Sequence, residues 1–487
     1  MREVEIDAIA LGRLASLLAP ERAARLARYA EHAREILAGR TVWNVNATAQ
    51  GGGVAEMLQA LLAYTKGAGV QTRWLVLRGD AEFFAITKRL HNVLHGMAGD
   101  GGPLGVAEQR HYHEVLAENF EVLRPMVQPG DIVLLHDPQT AGLAGMLRDA
   151  GAHIVWRCHI GRDTQTELTT IGWAFLRPHI EDADAFIFSR RVYAPDWVAT
   201  DRLWVIPPSL DPFSAKNAEL TPADVDAALR EAALVDTDKD HGSLQFTRRD
   251  GTLGTVRGHR RLILNGGPVS RGARLVLQVS RWDRLKDMAG VLTGFADHLD
   301  ELPPDVHLML VGPDVKSVSD DPEGAEVLEE CRGLWEALPA TRRSRVHLTC
   351  LPMDDIDENA HLVNALQRRA AVVVQKSLVE GFGLTVTEPM WKAKPVLASA
   401  VGGIQDQIVH GESGLLLDDP LDLATFAERL HDLLTDEEYA RMLGTAARSR
   451  VRDLYLGDRH LTQYVDLFEQ LYERGAAAEQ GQGSGHR

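Results

Sequence analysis

One rhythm constrains this chain more than anything else, and it runs twice. Short apolar segments rich in β-branched residues alternate with stretches of helical spacing. The first series occupies residues 41–46, 74–78, 131–136, 153–159, 185–189 and 203–206; the second occupies 274–280, 306–311, 346–351, 371–375, 395–398 and 414–417. Near-continuous hydrophobic runs of this length belong to strands covered on both faces, as in a parallel sheet between helical layers. Two doubly wound α/β domains are therefore expected, and 487 residues, 45% of them hydrophobic, can fill two cores. No short-period repeat competes with this reading.

The expected boundaries are a first domain over 1–210 and a second over 211–455. The second opens on a helix with Thr221 as N-cap and Pro222 in its first turn. Within it, the Gly- and Arg-rich stretch 236–272 reads as a polar surface insertion. A last helix, 456–474, is expected to pack back toward the first domain. The tail 475–487, GAAAEQGQGSGHR, has almost nothing to bury and is expected to be disordered.

Charge and cysteine usage exclude several functions. A net charge of −17 repels nucleic-acid phosphate and anionic lipid. Cys158, Cys331 and Cys350 are too widely spaced for a disulfide framework or a structural zinc site. No apolar run approaches the roughly 18 to 20 residues of a membrane span, and the first 20 residues carry acids and no signal-type cleavage site. A cytoplasmic protein is expected.

Doubly wound folds bind ligands at the carboxyl ends of their strands, and two such domains are expected to face a central cleft. Three strand-end segments stand out. After VWNVN come Gly51, Gly52 and Gly53 and then a helix, which makes either a phosphate cradle or a tight strand-to-helix turn. After the strand 274–280, Arg281 and Lys286 are spaced to clamp a diphosphate, or form an ordinary charged loop. After 371–375 comes EGFGLTVTE, the sharpest of the three. There the N–H groups of Phe382, Gly383, Leu384 and Thr385 can meet anionic oxygens, Glu380 can meet sugar hydroxyls, and Glu388 can take the paired hydroxyls of a ribose. A helix start with acids placed for its dipole accounts for one glutamate, not for the whole loop.

Together, EGFGLTVTE, SRWDRLK and the glycine loop resemble the retaining, nucleotide-sugar-dependent glycosyltransferases of GT-B fold. The closer resemblance is to trehalose synthases of the glycosyltransferring type. It is carried by VWNVNATAQGGGVAEML, FFAITKRLHNVLHG, LLHDPQTAGL, WRCHIG, VIPPSLDPFSAKN, VSRWDRLKD and SLVEGFGLTVTEPMWKAKPVLASAVGGIQDQIVHGESGLL. The resemblance implies a hexosyltransferase, of GT-B fold with two Rossmann-like domains, that joins glucose from a nucleotide diphosphate-glucose such as UDP- or ADP-glucose to free glucose.

By resemblance, His159, Arg281, Lys286 and Glu380 would be catalytic. Gly52, Gly53, residues 382–385 and Glu388 would bind the donor; His136, Asp137, Gln139 and Lys88 would read the acceptor. Each has a plainer reading: a satisfied strand-end imidazole for His159, a turn made by Asp137 and Pro138, and a helix face for Lys88. No metal and no cofactor are implied, because the nucleotide-glucose is a substrate. The expected partners are nucleotide-glucose, glucose and trehalose, with no nucleic acid and no membrane; a homodimer is compatible with the sequence and not specified by it. Two rivals stay open: a trehalose phosphorylase, and a sugar-nucleotide-binding protein without catalysis. The stretch 236–272 and the tail fall outside the resemblance.

Overall fold

Each of the twelve expected strands forms within two residues of its expected ends. The computed structural model describes residues 1–49, 53–236, 244–248, 251–258, 262–315 and 322–483. The chain divides into two compact units, one of residues 1–209 with 455–487, the other of residues 210–454.

The first unit holds a seven-stranded sheet: β1 (Arg2–Val4), β2 (Val42–Asn46), β3 (Thr72–Val76), β4 (Ile132–His136), β5 (His153–Cys158), β6 (Ala185–Phe188) and β7 (Leu203–Val205). Its spatial order is β1-β3-β2-β4-β5-β6-β7, parallel throughout except for β1, which pairs antiparallel with β3. Trp43, Val133, Leu135, Trp156 and Phe186 build the core on one face. On the other face Val42, Ile132, Leu134 and Val155 meet Leu467, Phe468 and Leu471 of the last helix, Gly457–Gly483. The C-terminal segment is thus part of the first unit's core. That helix also runs nine residues into the stretch expected to be disordered. Its alanines are the strongest helix formers, and extending an existing helix needs no new nucleus. Residues 484–487 lie outside the described ones.

The second unit contains β8 (Leu244–Thr247), β9 (Leu253–Val256), β10 (Ile263–Asn265), β11 (Arg274–Val279), β12 (Val306–Pro313), β13 (Val346–Leu351), β14 (Val372–Gln375), β15 (Val396–Ser399) and β16 (Leu415–Leu417). Its sheet runs β10-β13-β12-β11-β14-β15-β16, with β10 antiparallel to β13 and the rest parallel.

The expected surface insertion is corrected here. Its described residues form a hairpin, β8 with β9, and the edge strand β10. Phe246, Val256, Leu262 and Ile263 are buried in the unit's core, and Phe246 stacks on His361 with ring centroids 4.8 Å apart. Two of its described arginines are engaged: Arg248 bonds Asp355 at 2.6 Å, and Arg257 bonds the buried Glu358 (Nε to Oε2, 2.6 Å) and Asp354 (2.9 Å). Among the described residues no helix is long and apolar enough to cross a membrane.

Candidate functional site

Strand order says where to look. In a doubly wound sheet the crevice for a ligand opens where successive connections leave in opposite directions. In the second unit that switch point falls between β11 and β14, and the loops after both strands carry the motifs singled out above.

The two loops are tied together. Leu378 N–H donates to the Leu285 carbonyl at 2.8 Å, and the Lys286 ammonium ion-pairs with the Glu380 carboxylate, both side chains mostly buried. Lys286 is anchored from both sides. Its carbonyl accepts from Gln278 Nε2 at 2.7 Å. Next to it Asp287 takes a left-handed backbone (φ 49°, ψ 45°) and caps the helix Met288–Asp297, its Oδ1 accepting from Gly290 N–H at 3.1 Å. The fully buried Lys376 pairs with the same Asp287 carboxylate and donates to the Pro420 carbonyl at 2.6 Å. Arg281 is more open: 48% exposed, it donates to Asp283 Oδ2 at 2.7 Å.

EGFG leads into the helix Leu384–Trp391, whose N-cap, Gly383, sits at φ 88° with no side-chain cap. Only glycine reaches that conformation without strain. Gly403 presses on the loop so closely that a Cβ there would lie 2.7 Å from Phe382 Cα. Gln407 completes the seat, donating to the Phe382 carbonyl at 2.6 Å. The first-turn N–H groups of a helix have no acceptor within it, and its dipole draws an anion to them. Glu388, one turn on, is buried: Gln367 Nε2 lies 3.2 Å from its Oε2 and Lys216 Nζ 3.4 Å from its Oε1. Lys392, also buried, donates to the Glu388 carbonyl (3.3 Å), Gln367 (2.7 Å) and Asn217 (3.0 Å). Burial holds the Lys392 ammonium well below its ordinary range, against the pull of Glu388.

In the first unit the switch falls between β2 and β4, and a chain of side chains bridges it. Asn44 Oδ1 lies 3.0 Å from His136 Nε2, and His136 Nδ1 lies 3.1 Å from His159 Nε2, the two rings stacked with centroids 5.4 Å apart. Because the Asn44 oxygen only accepts, His136 carries its proton on Nε2, takes the His159 Nε2–H on Nδ1, and leaves a lone pair on His159 Nδ1. Burial first and the nearby Arg157 second push His136 down to about 3, and the same causes, with His136 added, hold His159 well below its usual value. Both rings are neutral near pH 7.

Asp137 follows His136 with φ 64° and ψ 176°, a conformation almost confined to glycine that costs about 1–3 kcal/mol for other residues. The surroundings impose it. Its N–H donates to the Arg157 carbonyl at 2.8 Å, and its Oδ1 accepts the His159 N–H at 2.7 Å. Burial raises its carboxyl to about 7, against the His159 N–H and the Arg157 charge. Its Oδ2 has no hydrogen-bond partner among the described residues, and neither has the Gln139 side chain. A strained, half-buried carboxylate beside two neutral imidazoles can accept a hydroxyl proton in a hydrogen bond.

Not every candidate joins these groups. Lys88 lies on the exposed face of the helix Ala81–Leu94. Gly53 is the exposed first residue of the helix Gly53–Gly67, and Gly52 lies outside the described residues. Asn44, Arg157, Lys216, Lys376 and Lys392 went unnoticed in the sequence, although Asn44 and Arg157 carried a signal: each is a polar residue inside a strand covered on both faces. Among the described residues no cluster of three or more His, Cys, Asp or Glu could hold a metal.

Two doubly wound sheets, each with polar side chains gathered at its switch point, fit the GT-B fold of glycosyltransferases, and the family matches assign the chain to that class. Residues 44–195 match the family described as trehalose synthase, N-terminal domain, and residues 265–450 match glycosyl transferases group 1. The chain belongs to the trehalose synthase family. It is 34% identical to a trehalose synthase of Rubrobacter xylanophilus over 89% of this chain and 91% of that one. It is 32% identical to one of Pyrococcus horikoshii over 90% of this chain and 91% of the other. Among solved structures, a UDP-forming α,α-trehalose-phosphate synthase of Burkholderia vietnamiensis shares the fold, with TM-score 0.64 and 16% identity over 90% of this chain and 98% of that one.

Proposed function

We propose that this glycosyltransferase moves glucose from a nucleoside diphosphate-glucose to free glucose, with retention of the α configuration, and so forms trehalose. The observation that carries the reading is the union, at the β11/β14 switch point, of Lys286 and Glu380 beside the uncapped N-terminus of Leu384–Trp391. A cation and a helix N-terminus suit a diphosphate; the carboxylate next to them suits the hydroxyls of the hexose attached to it. As the glycosidic bond to the diphosphate breaks, negative charge grows on the leaving oxygens, and Lys286, Arg281 and the first-turn N–H groups stabilise it. Loss of one such donor typically costs about 3 to 4 kcal/mol of barrier. The departing diphosphate takes the acceptor hydroxyl's proton on the face it leaves, which preserves the anomeric configuration.

In the first unit His136, Asp137 and Gln139 read the acceptor glucose, the open Oδ2 of Asp137 receiving one of its hydroxyls, and His159 keeps the catalytic role. Glu388 takes the ribose of the donor, which a phosphorylase would have no use for. The test is a screen of the purified protein with UDP-, ADP- and GDP-glucose, with and without glucose, reading nucleoside diphosphate and disaccharide. Diphosphate release that requires glucose supports the reading. Trehalose made from maltose without nucleotide, or turnover only with trehalose and phosphate, replaces it with an isomerase or a phosphorylase.

A further inference from the structure

The Glu388 carboxylate has one protein partner at each oxygen: Gln367 Nε2 lies 3.2 Å from Oε2 and Lys216 Nζ 3.4 Å from Oε1. A carboxylate offers about four lone-pair sites, so each oxygen keeps room for one more donor. Two neighbouring hydroxyls of a ribose need that arrangement, with both oxygens turned toward them at once. The rotation of the carboxylate about its last bond therefore matters, and its partners set it.

Gln367 is fully buried in the helix Ile356–Arg369. An amide can present its oxygen or its nitrogen, and an oxygen turned to Glu388 would set two acceptors against each other. The orientation is fixed from the far side. Lys392, one helical turn beyond Glu388, donates to Gln367 Oε1 at 2.7 Å, to Asn217 Oδ1 at 3.0 Å and to the Glu388 carbonyl at 3.3 Å. Asn217 is pinned in turn, because its Nδ2 donates to the Asp211 carbonyl at 2.9 Å and leaves its oxygen for Lys392. Three oxygens thus face three N–H bonds, the complement of a protonated lysine. Burial works against that charge, and Glu388 supports it. With its oxygen held by the ammonium, Gln367 delivers its NH2 to Glu388 Oε2. Asn217, the third residue in this brace, follows Lys216, the partner of Oε1.

We propose that Lys392 is a positioning residue for the donor nucleotide: through Gln367 it fixes the Glu388 carboxylate with one lone pair of each oxygen left for a vicinal diol, and so selects ribonucleotide over 2′-deoxyribonucleotide donors. The ribose role of Glu388 rests on the function proposed above; the brace from Lys392 is a separate claim, and the two can fail separately.

The test is titration calorimetry of the full chain with UDP, ADP and GDP and with their 2′-deoxy forms, continued with the base whose ribose form binds most tightly. In the natural protein the ribose form is expected to bind about tenfold or more tightly than the 2′-deoxy form, as for one hydrogen bond to a charged group, and Glu388→Met to abolish that preference. A natural protein that does not discriminate, or a preference that survives Glu388→Met, removes the ribose role and the proposal with it. Lys392→Met keeps the length of the side chain and removes the ammonium. It should lower the preference at least about threefold, as for one hydrogen bond lost or misaligned. A smaller fall in a folded Lys392→Met protein, or equal weakening of both forms as a merely structural lysine would give, overturns the proposal and leaves the ribose role standing. If circular dichroism shows that Lys392→Met does not fold, Gln367→Met decides by the same criterion, because it takes the N–H from Glu388 and leaves the ammonium its two other oxygens.

Discussion

The chain carries one arrangement twice: two histidines on neighbouring parallel strands, rings stacked, Nδ1 of one bonded to Nε2 of the other. In the first unit His136 and His159 lie at the carboxyl ends of β4 and β5, 3.1 Å apart. In the second His307 and His347 lie near the amino ends of β12 and β13, 2.9 Å apart with centroids at 5.2 Å. The geometry is nearly the same and the surroundings are not. The second pair ends on the Gly267 carbonyl, 2.8 Å from His347 Nδ1, next to the turn that follows the edge strand β10. The first ends on Asn44, beside a strained carboxylate and a buried cation. A buried imidazole pair is thus not in itself a site. Strand direction, which puts one pair at a switch point, and the open Asp137 oxygen are what separate the two, and on them rests the chemical role proposed for the first pair.

The contrast can be broken in several ways. The largest effect is expected at the second unit's own carboxyl-end group: Lys286→Ala or Arg281→Ala should lower turnover at least about a hundredfold with an unchanged circular dichroism spectrum. Near-normal turnover in a folded variant would remove the diphosphate role. Next, His159→Asn should cost about tenfold to a hundredfold in kcat/KM, whereas His347→Asn should leave it within about twofold and cost about 1–2 kcal/mol in urea denaturation, as for a broken buried hydrogen bond. Equal effects of the two substitutions on turnover would erase the distinction.

Asp137→Asn sharpens the contrast through stability. The Asp137 carboxyl titrates at about 7 in the fold and at about 3.9 in an unfolded chain. The folded state holds the proton more tightly, so stability falls as pH rises from about 4 to 7, and asparagine escapes that loss. The variant should be about 1 kcal/mol or more stabler than the natural protein at pH 8, equal to it near pH 4, and less active. Thermal melts at the two pH values read this directly.

The smallest effect belongs to the other pair. Burial lowers His347 to about 4 and also lowers His307. Both are neutral in folded and unfolded states above about 6.5, so their loss of stability begins only as pH falls below that value, where the unfolded chain takes the protons first. His347→Asn should flatten the decline between pH 6.5 and 5. An unaltered slope would show that the pair is not what acid attacks.

The parallel strands were legible because each belongs to an apolar run in a series that alternates with helical stretches. β1 is three residues, an antiparallel edge strand fixed by pairing with β3, and nothing in REV announces it. β8 and β9 were hidden for a different reason: their segment looks polar until Arg248 and Arg257 meet Asp355, Asp354 and Glu358, about a hundred residues away. At the donor side EGFGLTVTE and SRWDRLK pointed to Lys286 and Glu380 but could not say that the two pair with each other, since that contact depends on which strands are neighbours. Lys376 and its bond to Asp287 had no signal at all. Asn44 and Arg157 were visible as polar intruders in buried strands, and their meaning needed the register of β4 with β5.

The central claim, glucosyl transfer with retention to the anomeric hydroxyl of glucose, is tested most directly by proton NMR of one reaction holding a nucleotide-glucose and free glucose. The account predicts a non-reducing disaccharide with a single symmetric α anomeric signal, growing in step with free nucleoside diphosphate and absent with Lys286→Ala. A reducing disaccharide, a β linkage, or trehalose that forms equally well when the nucleotide-glucose is replaced by maltose would contradict it.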